Sequence, residues 1–203
     1  MGQYYRLSIL SSAKRNIKNK EKVVASISPY DYNNGAKLCE FSYINNSYVS
    51  AFEELINKEH GKYAGYPVIC AGDYADEEPL TYNKEKVTIY DLTHEFNTDI
   101  KVKISGKHYR YIINEDKKLY IDTENPEVIG EDIEDKENRH YKYYLHPLPI
   151  MIADGNGRGG GDLYSEDKNI GAWKRNVVVV SDNKPDDTYK ELVVSFFDEW
   201  GNK

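Results

Sequence analysis

Cysteine is nearly missing from this chain: Cys39 and Cys70 are its only two thiols. With no second pair, neither a disulfide framework nor a cysteine-based zinc cluster is supported, and both residues read as small interior hydrophobes. Long apolar runs are also lacking. No stretch approaches the roughly 18 residues that would span a bilayer, and the opening MGQYYRLSIL has no apolar core of a secretion signal. Position six is Arg6, where a myristoylation motif after Gly2 requires Ser or Thr. A cytoplasmic location without membrane contact is expected. Positive charge is in deficit as well, since 27 Lys and Arg face 34 Asp and Glu, a formal net charge of −7. That balance argues against docking on phosphate backbones, so no direct nucleic-acid binding is expected, although a local basic pocket stays compatible with it. An acidic surface suits a basic protein partner, because complementary potentials accelerate encounter.

Tyrosine is abundant, with 19 residues among 203, and supplies much of the apolar area with a hydroxyl attached. The length fits a single domain spanning residues 1–203. Alternation predicts strands at Gln3 to Leu10, Val23 to Ser28, Pro67 to Ala71, Val87 to Tyr90, Leu119 to Ile121 and Val177 to Val180, with a hairpin over Asp99 to Asn114 turning at Ser105-Gly106-Lys107. Tyr141 to Ala153 reads as an edge or irregular strand because of Pro147 and Pro149. Helical spacing of Val49, Phe52, Leu55 and Ile56 predicts a helix from Tyr48 to Glu59, with Glu53, Glu54 and Lys58 turned to solvent. Glu191 to Trp200 fits a terminal helix or a buried strand. Asp122 to Asn138 is acidic and aperiodic, and is expected to be a surface excursion. The fold class is therefore α+β, a mainly antiparallel sheet with one or two packed helices and long ordered loops.

The blocks MGQYY, PYDYNNGAKLCEFSYINNSYV, AGDYADEE, HPLPIMIADGNGRGGGDLY and IGAWKRN, taken in order, resemble a group of uncharacterised bacteriophage and bacterial proteins that begin MGQYY or similar. The resemblance spans nearly the whole chain. It implies a phage or mobile-element accessory protein working in the host cytoplasm, it carries over no catalytic assignment, and it marks the acidic stretch as an addition of this member.

The densest local feature is the run Gly155, Asn156, Gly157, Arg158, Gly159, Gly160, Gly161, Asp162. Glycines there free successive N–H groups to form an anion nest, and Arg158 adds a bidentate donor for phosphate or carboxylate. The spacing matches neither a Walker loop nor the dinucleotide fingerprint. A connector in which glycine only resolves sterics, and a protein-contact loop, are the competing readings. His146 lies a short segment upstream and is a candidate for the same pocket. Pairing with Asp154 or Asp162 would give it acid/base character and a small-hydrolase reading. Trp173, beside Lys174 and Arg175, is a candidate stacking residue, or else a core anchor. Asp73, Asp76, Glu77 and Glu78 form an acidic turn read as a partner-facing surface; a hard cation would suit such oxygens, but the calcium-loop pattern is absent. The five histidines show no metalloprotease spacing, so neither metal nor cofactor is expected. Two binding functions compete: capture of an anionic, nucleotide-like small molecule at the glycine-rich loop, and acidic docking on a host defence protein.

Overall fold

The structure is a computed structural model, which describes residues 2–78, 86–135, 140–155, 163 and 167–200. In chain order the elements begin with β1 (Tyr5–Leu10), α1 (Asn19–Lys22), β2 (Val23–Ser26), a 3₁₀ turn at Pro29–Tyr32, α2 (Leu38–Phe41), α3 (Ser47–Ile56) and β3 (Val68–Gly72). They continue with α4 (Ile89–Glu95), β4 (Tyr111–Asn114), β5 (Leu119–Asp122), β6 (Ile133–Asp135), β7 (His140–Tyr144) and α5 (Pro147–Met151). The last are β8 (Ala153–Asp154), β9 (Val178–Ser181), β10 (Lys190–Glu191) and β11 (Phe197–Trp200). Three sheets result, ordered β2-β1-β3-β8, β10-β5-β4-β9 and β11-β7-β6. Most pairings are antiparallel; β3 with β8 and β5 with β10 run parallel. The chain is thus an α+β protein of mixed and antiparallel sheets.

β1 is central to the first sheet, and all six of its residues are buried, the polar Arg6 and Ser8 included. Helix α3 packs beside it for reasons visible in its own residues. Asn46 caps the helix by accepting from the Tyr48 and Val49 amides at 2.9 and 3.2 Å. Val49, Phe52 and Ile56 then face the core with no exposed area. The Tyr48 hydroxyl accepts from the Leu7 amide at 2.7 Å and donates to the Ile27 carbonyl at 3.0 Å, so one buried side chain ties helix to sheet with its polar tip satisfied. Its ring also meets Phe41 edge-on at 5.1 Å.

Several sequence expectations are corrected. The hairpin does not turn at Ser105 to Lys107: β4 pairs with β5, through a turn in which Asn114 Oδ1 accepts from the Asp116 and Lys117 amides and Lys118 is left-handed. Ile100 and Val102 still pack on the core, but their amides go to the Ser26 carbonyl and the Tyr32 hydroxyl instead of a β4 ladder. Val87 to Tyr90 leads into helix α4, because Thr88 and Asp91 exchange capping bonds at 3.1 and 2.8 Å and set Ile89 and Leu92 on one buried face. Pro147 occupies the first position of α5, where its missing N–H is no loss, so the segment after Tyr144 is helical. Of the two readings offered for Glu191 to Trp200, the strand is the one found, in two pieces at Lys190–Glu191 and Phe197–Trp200. The acidic stretch from Asp122 is anchored as well as exposed: Val128 is fully buried in the main core, and Ile133–Asp135 pairs with β7.

Candidate functional site

Among the described residues, two arrangements carry chemistry. The first is a surface cleft of about 490 Å³ between α2 and the third sheet. Lys37 and Glu40 shape one wall, the Lys37 amide donating to Glu40 Oε2 at 3.0 Å. Tyr43 bridges to Leu145, and Tyr143 and Tyr144 come from the end of β7, opposite Asp198 and Phe197 of β11. Asp132 reaches in from the acidic stretch and accepts from the Tyr144 amide at 3.0 Å. Gly130 lets the Tyr144 ring lie close, since a Cβ there would be 2.7 Å from the tip of that ring and would displace it. The lining is three tyrosines with Ile44, Leu145 and Cys39, and its charges are Lys37 against Glu40, Asp132 and Asp198. The cleft therefore favours a flat or aliphatic group bearing positive charge.

The second is interior. Glu53 of α3 is fully buried, with Oε2 at 2.8 Å from His108 Nδ1 and Oε1 at 3.4 Å from His146 Nε2. The two imidazole rings lie 5.6 Å apart. Burial pushes the Glu53 carboxyl up, but the hydrogen bond from His108 and the electrostatic attraction of both imidazoles outweigh it and hold the group below its ordinary value. The expectation that Glu53 faces solvent is overturned. Its position was legible, because Val49, Glu53 and Ile56 share one stripe at i, i+4 and i+7.

The residues singled out from sequence disperse. Asn156 to Asp162, with Arg158 among them, lie outside the described residues. Gly155 is described, at φ +100°, with its carbonyl accepting from the Tyr5 hydroxyl at 2.6 Å. His146 is 2% exposed and turns its ring to Glu53 and the Leu148 amide, whereas Asp154 takes Lys174 at 2.7 Å. Trp173 is 1% exposed and is a core side chain, which leaves it no face for stacking on a ligand base. Of the acidic turn, Asp76 and Glu77 are exposed and Asp73 half-buried, its Oδ1 accepting from the Tyr4 amide. Glu78 is not a surface acid. It is buried between Lys22, 2.5 Å away, and Arg175, with Arg15 at 3.6 Å. The cleft residues Lys37, Tyr43, Asp132, Tyr144 and Asp198 escaped sequence reading, since four separate segments supply them and no single local spacing joins them.

Comparison of the chain with family models, with curated proteins and with solved structures finds no match in any of the three. The described residues thus define an α+β protein with a tyrosine-lined acidic cleft and a buried carboxylate–imidazole cluster, and the functional reading rests on these.

Proposed function

We propose that this protein is a phage-type accessory protein that acts by binding, in a counter-defence role, and that its cleft takes a basic segment of a host protein. The observation that carries the reading is the cleft's composition, three tyrosine rings with one lysine among three carboxylates. An arginine stacked on a tyrosine face while its guanidinium meets Asp132 or Asp198 fits that lining. The overall charge of −7 works in the same direction at long range. An anionic ligand would meet repulsion in the cleft. That alternative stays with Arg158 and is tested by titrating wild type and Arg158→Ala with nucleotides. The hydrolase alternative finds little support, because both His146 ring nitrogens are directed at protein atoms.

The test uses fluorescence anisotropy with a peptide containing arginine and tyrosine, against a counterpart with glutamate replacing arginine. The basic peptide should bind, should weaken as salt is raised, and should weaken again with Asp198→Asn or Tyr144→Ala. It should also slow alkylation of Cys39, since Cys70 is fully buried. Equal binding of the two peptides, or no binding, overturns the proposal.

A further inference from the structure

We propose that Glu53, His108 and His146 form a binding site for one divalent transition-metal ion of the zinc class. One ligand atom from each lies within 4.8 Å of the other two. Two imidazoles and a carboxylate suit Zn²⁺ or Fe²⁺ and do not suit Ca²⁺ or Mg²⁺, which take oxygen. Bonds of about 2.0–2.1 Å in a tetrahedron place ligand atoms roughly 3.3 Å apart. Glu53 Oε1 lies 3.4 Å from His146 Nε2, which already meets this, while His108 Nδ1 sits 2.8 Å from the other carboxylate oxygen, Oε2, and must turn from it toward the ion held by Oε1.

A second observation is independent of that spacing. Glu53 Oε1 is buried without a hydrogen-bond partner, its contact with His146 lacking hydrogen-bond alignment, in a side chain with no exposed area. A buried carboxylate oxygen left unpaired is costly, and a cation at the centre of the three groups removes the deficit. The surroundings hold the ligands in place. Ser50, one turn before Glu53 on α3, donates to the Lys107 carbonyl at 2.6 Å and pins the segment carrying His108, while the His146 amide donates to the Ser42 carbonyl at 3.0 Å. His108, with 19% of its side chain exposed, marks the side from which an ion enters.

Ligation has one identifiable consequence. His146 Nδ1 now accepts from the Leu148 amide at 3.3 Å. Binding through Nε2 moves the imidazole proton to Nδ1, so that bond must break. The Leu148 amide is therefore a reporter of the site.

The experiment is calorimetric titration of chelator-treated protein with Zn²⁺ alone, for wild type, His108→Ala and Glu53→Gln, alongside the visible spectrum with Co²⁺ and the amide NMR spectrum. One Zn²⁺ per chain is expected, with a tetrahedral cobalt band and movement of the Leu148 resonance. Both variants should weaken binding by at least the roughly 10–100-fold that loss of a merely supporting residue produces. Sub-stoichiometric uptake by wild type, or undiminished binding by His108→Ala, as the surface pair His60 and Glu54 would give, overturns the proposal. Should either variant fail to fold, the wild-type cobalt band and the Leu148 shift decide: both present sustains the site, either absent removes it.

Discussion

At the residue scale, burial decides what a charge does. Glu78 sits in an acidic run and reads as a solvated side chain, yet it is fully enclosed with Lys22 and partners Arg175. Removing an exposed acid costs almost nothing, because surface ion pairs are worth about 0–1 kcal/mol. Removing this one strands buried cations. Glu78→Ala should therefore destabilise the fold by about 3–5 kcal/mol in denaturant titration. A change below about 1 kcal/mol would return Glu78 to the surface turn. Glu53 teaches the same lesson from a helix: its place on the apolar stripe could be counted from Val49 and Ile56, but residue type argued for solvent, and only the two histidines from distant segments explain its burial.

At the element scale, the acidic stretch expected over Asp122 to Asn138 is described as far as Asp135, and that part is more than a surface addition. Asp122 belongs to β5 and pairs with Arg110 at 2.8 Å, Val128 enters the main core, and Asp132 reaches the cleft. Val128→Ala should cost on the order of 2 kcal/mol, while Glu127→Ala, one residue away and exposed, should be near neutral. Equal melting temperatures for the two variants would show that the stretch is not anchored. Helix α4 illustrates why element type was missed nearby. The run at Val87 is too short to show a helical period, and the deciding signal was the Thr88 and Asp91 capping pair, a helix start that competes with β-branched content.

For the whole molecule, titration links these local environments to stability. Burial and the neighbouring Arg6 depress His94 below its ordinary value. The unfolded chain then takes up the proton first, so stability falls as pH drops through the usual histidine range. Glu53, Glu115 and Asp122 are held below their ordinary values by His108 and His146, by Tyr189 and Lys58, and by Arg110 respectively, against the opposing effect of burial. Their stabilisation is complete above the ordinary carboxylate range and is lost as pH falls through the depressed folded values. Chemical denaturation across pH, with chelator present, should show a shallow decline beginning near neutrality and a steep one below about pH 4. His94→Gln should remove the first stage alone. A profile that is flat from pH 7 to pH 3 would contradict both assignments.

The α+β class, the strands at Tyr5, Val68 and Val178 and the apolar face of α3 follow from the sequence itself, because local periodicity records which side of an element is buried. The two sites do not. The cleft needs Tyr43, Asp132, Tyr144 and Asp198 brought together where the third sheet adds the distant strand β11 to β7. The Glu53, His108 and His146 cluster needs a helix, a strandless segment and a helix cap to converge on one point. Metal-ligand motifs are recognised by spacing along one element, and ligands drawn from three elements have no such spacing. Only the packing of α3 against the sheets sets their distances.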